Sequence, residues 1–293
     1  MELSFVDVHA HLCDEKFEGV LGVVESAKKV GVKKIITASY NLFSCEKNLG
    51  IAKDTEGVFA TVGVHPENVD ETTVLVDNIA GEDVDVRLET VDEEILGVGS
   101  KTIATHIESE ASDYLSKLEH LARNKKVVAI GEIGLDYHWR TDNKELQKKF
   151  FTLQIQLANK LNLPIVVHSR DAMGDTLEIL KSCPPKRESL MHCYGGSIES
   201  ARELMKLNFS FSFGGVCTFK NAKNVCEIIK ALPIEKIMTE TDCPYMAPEP
   251  YRGKVNEPKY IPLIVNRIAE IKNLSLEEVA RQVSLNAEKM FKI

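Results

Sequence analysis

The chain has 293 residues, 44% of them hydrophobic and 27% charged, a composition typical of a globular protein with enough length to bury a large core. Its formal charge of −8 argues against a protein that coats nucleic acid through a broad basic face, but not against a nuclease with a few cationic groups in one cleft. No apolar run approaches the roughly 20 residues of a membrane span. The N-terminal MELSFVDVHAH lacks a secretory pattern, and the seven cysteines have no regular spacing, so reduced thiols in a cytoplasmic protein without membrane contact are expected.

Short apolar runs recur along the chain: FVDVHAH (5–11), KKIITASY (33–40), VFATVGVHP (58–66), VVAIGEIGL (127–135), PIVVHSR (164–170), SLMHCYGG (189–196), FSFSFGG (209–215) and EKIMTETD (235–242). Amphipathic segments separate them. In NKELQKKFFTLQIQLANKLN, Leu146, Phe150, Leu153 and Leu157 recur at helical spacing, and SIESARELMKLN opens on a serine suited to cap a helix. Val- and Ile-rich strands alternating with helices indicate parallel β-structure covered on both faces. Eight such units in one chain of this length predict an α/β fold of the (β/α)8 TIM-barrel type, residues 1–293 forming a single domain. An open doubly wound sheet is the structural alternative, but no Gly-rich phosphate loop follows the first run.

One interval breaks the regularity. About 60 residues separate Pro66 from Val127, far more than one crossover needs. The stretch 67–94 is strongly acidic, with Glu67, Asp70, Glu82, Asp83, Asp85, Asp92, Glu93 and Glu94 opposed only by Arg87. We read 67–106 as an acidic insertion, a solvated excursion or else a lid or oligomer contact. IESEASDYLSKLEHLARNKK (107–126) reads as the barrel helix before the fourth strand.

His9 and His11 stand two apart on the first run, so they can face one point. Glu132, His168, His192 and Asp242 each stand near the end of a later run, and in a parallel barrel all these ends gather on one face. Four imidazoles and two carboxylates drawn out of water need partners, and divalent cations supply them. Six ligands exceed the need of one tetrahedral ion and suit two ions that share a carboxylate, the arrangement that stabilises attacking and leaving oxygens in a displacement. Asp242 at the last strand is also placed to take a proton from an attacking water. His65 ends the third run and can bond an anionic oxygen. Arg170, two residues past His168, is expected to clamp a phosphate or orient Asp171. Glu240 shares the parity of Asp242 and is expected to orient a ligand. Asp136 is assigned to loop support rather than catalysis. His106, His120 and His138 are read as surface or packing residues. Alternation turns Cys193 and Cys243 away from the site, so both are expected to be core thiols.

Across nearly its whole length the chain resembles the TatD family of metal-dependent deoxyribonucleases, within the amidohydrolase-like barrels. The resemblance rests on VDVHAHL, TVGVHPE (61–67), AIGEIGLDYH (129–138), LQIQLANKLNLPIVVHSRDA (153–172), HCYGG (192–196), FSFGG (211–215), TETDCPYMAP (239–248) and SLNAEKMF (284–291). It implies a distorted TIM barrel that hydrolyses DNA phosphodiesters as an exonuclease, with two divalent ions (Mg, Mn or Zn). His9 and His11 would hold one ion with Asp242, Glu132 would bridge to a second held by His168 and His192, and His65 would contact phosphate. Where many relatives carry RGxRNEP this chain reads RGKVNEP, with Val255 in the basic place. Arg252 and Lys254 keep that loop cationic, Arg252 being a candidate substrate contact. The expected function is therefore cleavage of single-stranded DNA ends. An amidohydrolase or esterase using the same cage on a small molecule is the alternative, and a scaffold without catalysis a more distant one. Nothing in the chain indicates an obligate protein partner.

Overall fold

The computed structural model describes residues 3–69 and 114–293. Eight strands form one parallel sheet in the order β1 to β8: Phe5–Ala10, Val32–Thr37, Val58–Val62, Val127–Asp136, Ile165–Arg170, Ser189–Met191, Phe209–Phe213 and Ile237–Thr239. Helices alternate with them: α1 Val20–Lys29, α2 Leu42–Asp54, α3 at 114–122, α4 Lys144–Leu161, α5 Met173–Ser182, α6 Ile198–Lys206, α7 Lys223–Ala231, α8 Ile261–Lys272 and α9 Leu276–Phe291. This is the expected (β/α)8 barrel. Most of the 67–106 insertion, from residue 70 onward and including His106, lies outside the described residues.

Except for β4, the strands are shorter than the apolar runs suggested. His11, His65, His192, Glu240 and Asp242 all follow the last paired residue of their strands, so they sit on the loops at the C-terminal mouth of the barrel. Val6, Val8, Ile36, Val128, Ala129, Val166, Leu190 and Met238 come from strands around the sheet yet form one buried cluster, which can meet only in the barrel interior. Ala287, Met290 and Phe291 of α9 join it. A larger cluster packs the outer strand faces against the helices. The serine expected to cap the helix after β6 does so: Ser197 accepts from the Ser200 N–H in a capping box.

No ladder joins β8 to β1 among the described residues, and side chains and loop backbone close that seam. The buried Asp7 carboxylate accepts from the Thr241 N–H at 2.9 Å and the Thr241 hydroxyl at 2.5 Å. Above it, the Asp242 N–H donates to the His9 carbonyl at 2.9 Å and the His11 N–H to the Cys243 carbonyl at 2.8 Å. These bonds bring the ends of the first and last strands into one unit.

Glutamine and asparagine side chains pin the other strand ends. From α4, Gln147 bonds the backbone N–H and C=O of Asp136, and Gln154 those of Val64. Asn256, fully buried in the RGKVNEP loop, donates to the carbonyls of Thr241 and Tyr245 on both sides of Asp242. Each bond satisfies backbone groups that the sheet leaves unpaired. Gly134 lets β4 and β5 approach: with φ at +144°, a Cβ there would lie 1.9 Å from the His168 carbonyl oxygen.

Candidate metal centre

Glu132 is the centre of the mouth, 3% exposed, and its two oxygens face opposite ways. Oε2 lies 3.2 Å from His9 Nε2 and 3.9 Å from His11 Nε2. Oε1 lies 2.8 Å from His192 Nε2, 2.9 Å from His168 Nδ1 and 3.4 Å from His65 Nε2. Asp242 joins the first group, with Oδ1 3.1 Å from His11 Nε2 and 3.7 Å from His9 Nε2. Three trios, His9–His11–Asp242, His9–Glu132–His192 and His65–Glu132–His168, each bring their ligand atoms within 4.8 Å of one another.

Hydrogen bonds on the far ring nitrogens set the tautomers. A carbonyl only accepts, so the contact of His11 Nδ1 with the Ala38 carbonyl at 3.3 Å leaves Nε2 with a lone pair toward the cage. His168 Nε2 donates to the Asp136 carboxylate at 2.9 Å, which frees Nδ1 to face Glu132. His65 is arranged the other way. Its Nδ1 accepts from the Glu67 N–H at 3.2 Å, so in the neutral ring Nε2 carries the proton. His65 is thus a donor toward the mouth rather than a ligand.

The donor set fits divalent cations. Both nitrogens of the fully buried His9 and Nδ1 of His192 have no hydrogen-bond partner, and an orphaned buried polar atom is costly. Imidazole nitrogens and carboxylate oxygens converge at about 3 Å around Glu132 and Asp242 and are only partly hydrogen-bonded, as between His11 Nε2 and Asp242 Oδ1 at 3.1 Å, an arrangement that a shared cation relieves.

Burial disfavours charge on every member of the cluster. At Glu132 this is outweighed by His192, His65, His9 and the hydrogen bond from His168, which hold its carboxyl well below the ordinary range. At Asp242 burial is outweighed by the hydrogen bond and charge of His11, which lower its pKa. Burial prevails at His9 and His65, whose pKa values fall. The carboxylates prevail over burial at His11, His168 and His192, whose values rise. The two carboxylates therefore require positive charge beside them, from protons or from cations competing for the same nitrogens.

A cavity of about 770 Å³ opens over the cluster, lined in part by His11, Tyr40, His65, Trp139, Arg170 and Tyr245. A second, of about 530 Å³, shares His168, His192 and Asp242 and runs past Cys193 and Gly195. With this geometry, the profile of the family described as TatD related DNase matches residues 6–292. The chain belongs to that family. An uncharacterized metal-dependent hydrolase of Bacillus subtilis (strain 168), YabD, is 37% identical over 289 residues, 98% of each chain. Another, of Buchnera aphidicola subsp. Baizongia pistaciae, is 33% identical over 296 residues, 99% of this chain and 97% of that one. Among solved structures, the TatD homologue YjjV of Escherichia coli K12 superposes with a TM-score of 0.80 over all of both chains at 24% identity, a likeness of fold. The protein is a metal-dependent hydrolase of the TatD family.

All six expected TatD ligands meet at the mouth, and His65 and Arg170 line the same cavity. Glu240 reaches His192, its Oε1 3.7 Å from Nδ1, while its Oε2 accepts from the Ser212 hydroxyl at 2.5 Å. Arg252 is not brought to either cavity lining: its guanidinium carbon lies 4.3 Å from the Phe219 ring centroid, stacked on the loop after β7. Arg170 does not orient Asp171, whose carboxylate bonds His138 instead at 3.0 Å. His138 and His120 are surface residues, as expected. Cys243 is a core thiol, but Cys193 is not: it is half-buried and lines the second cavity. The alternation that placed it inward ends with β6, and Cys193 itself has φ of +45°.

Asp136 carries more than the sequence reading assigned. Asp136 supports its loop, accepting on Oδ1 from the His138 and Trp139 N–H groups, and also orients His168. Burial works against its charge, but the hydrogen bond and charge of His168 win and hold its pKa at about 2. The available signal was its spacing, four residues after Glu132 on one strand.

Proposed function

We propose that the protein hydrolyses phosphodiester bonds of DNA, working from single-stranded ends, with two divalent ions held by His9, His11 and Asp242 on one side and His168 and His192 on the other. The observation that carries the reading is the division of the Glu132 oxygens between two groups of nitrogens, as a bridging carboxylate requires. The family's description as a DNase supports DNA as the substrate.

Divalent ions at such a centre supply Lewis-acid charge and a water of lowered pKa. The chain supplies the rest. Asp242 projects to the cavity from a turn with φ of +55°, held by its N–H bond to His9 and by Asn256 behind it, and there it takes the proton of the attacking water. His65 donates its Nε2 proton to a phosphate oxygen. Arg170 adds charge at the rim. Asp136 holds His168 in the ring orientation that faces Glu132, and the buried Glu240 carboxylate adds negative charge 3.7 Å from His192 Nδ1.

The test is hydrolysis of 3′-labelled and 5′-labelled single-stranded oligonucleotides with Mg, Mn or Zn, beside Asp242→Asn. Metal-dependent shortening that the variant lacks supports the reading, and the label released first reports direction. No cleavage by folded, metal-loaded protein rules DNA out and turns attention to small esters and amides in the same cavity.

A further inference from the structure

Trp139 is the single tryptophan of the chain, and 64% of it is exposed although it stands in the lining of the 770 Å³ cavity. An indole on a mobile surface loop would be unremarkable, but this one is fixed. Its backbone N–H donates at 3.2 Å to Oδ1 of Asp136, the carboxylate whose Oδ2 holds His168 at 2.9 Å. The ring is packed edge-on against His138 with centroids 4.7 Å apart, and the Arg170 guanidinium carbon lies 5.3 Å from its centroid. One buried carboxylate therefore bonds both a candidate metal ligand and the backbone that carries an exposed aromatic face, with the Arg170 cation beside that face.

The other lining aromatics are engaged. Tyr245 donates its hydroxyl to Asp14 at 2.9 Å and lies under the Lys16 ammonium, 4.3 Å from the ring centroid. Tyr40 is half-buried.

We propose that Trp139, flanked by Arg170, is a stacking subsite for an unpaired nucleobase of the substrate, a reading that rests on the phosphodiesterase function above. A phosphate over the cage, contacted by His65 and Arg170, leaves the attached nucleoside on the β4–β5 rim where the indole is exposed. Nucleobases of every sequence present a π-face, so the subsite is sequence-tolerant. A paired base has its faces covered by neighbours in the duplex, so the indole engages a base only once it is unstacked.

Because no other tryptophan contributes, intrinsic fluorescence reads this subsite directly, without turnover. Chelator-treated full-length protein is titrated with a single-stranded deoxyoligonucleotide and with an abasic oligonucleotide of the same length, each also followed by anisotropy of an attached dye. Quenching by the base-bearing strand and at least severalfold less by the abasic strand at equal occupancy is the expected result. Binding of both strands with equal quenching, or with none, overturns the subsite.

With Mn present, Trp139→Ala is expected to raise KM for the base-bearing strand by about 5- to 150-fold, the range of one aromatic–base stack. Trp139→Phe recovers most of the loss, and the penalty shrinks toward unity on the abasic strand. Hydrolysis indifferent to Trp139→Ala refutes the subsite and leaves the nuclease reading intact. Neither binding nor hydrolysis of any oligonucleotide refutes both.

Discussion

Replacing Asp136 with asparagine would test how the chain prepares a ligand it does not itself provide. Asp136 Oδ1 accepts two backbone N–H groups, from His138 at 2.9 Å and Trp139 at 3.2 Å. An asparagine must keep its carbonyl oxygen there, since turning it over would set an NH2 against two donors. Its NH2 then faces His168 Nε2, where the carboxylate accepts at 2.9 Å in the native protein. Nε2 must become the acceptor, the proton moves to Nδ1, and the lone pair facing Glu132 and His192 is lost.

Loss of such an orienting partner costs about 10- to 100-fold in metal affinity, or about 1.4–2.8 kcal/mol. The weakening should fall on the ion on the His168–His192 side and spare the His9–His11–Asp242 side. Calorimetric titration of metal-free protein with Mn should therefore show one affinity unchanged and one reduced. The thermal midpoint without metal reports whether the fold survives. A folded Asp136→Asn protein with native affinity at both sites would refute the tautomer argument.

Gly134→Ala is expected to cost about 2–5 kcal/mol in urea unfolding, from left-handed backbone strain and from the clash with the His168 carbonyl. A smaller loss would mean that β4 and β5 separate easily. Gly174→Ala in α5, where a Cβ meets nothing within 4 Å, should instead stabilise by about 0.5–1 kcal/mol. Glu188 is partly buried, which raises its pKa, but the hydrogen bond and charge of Lys236 and the Ser210 hydroxyl outweigh burial and lower it below the ordinary 4.5. A depressed carboxylate stabilises above its unfolded pKa and loses that contribution as pH falls through the folded value. Glu188→Gln should thus lower stability by less than about 1 kcal/mol at pH 7, with the difference shrinking below pH 4.5; a difference constant with pH would show that the charge contributes nothing.

The strand positions and the convergence of six candidate ligands were legible because both depend on local pattern. Val- and Ile-rich runs mark buried parallel strands, and polar residues at their ends stand out against them. Periodicity did not mark where each strand stops. The β8 ladder ends at Thr239, and beyond it Asp242 adopts a left-handed conformation, so parity alone could not have aimed it. The same loss of alternation moved Cys193 from the expected core into a cavity lining. Arg252 was assigned by charge, yet the aromatic ring of Phe219 decides its place. Asp136 is the converse case: its loop bonds are local, but its partner His168 is 32 residues away. The division of labour among histidines was hidden for a related reason. Which nitrogen of His65 or His168 carries a proton depends on a backbone N–H or a carboxylate found only in the folded chain.

The most direct test of the cage is the number of divalent ions per chain, by elemental analysis after equilibration with Mn and removal of free metal. The account predicts two for the native protein, and fewer for Glu132→Gln, which lacks the charge that faces both groups. One ion or none in the native protein, or two retained in Glu132→Gln at undiminished affinity, would contradict it.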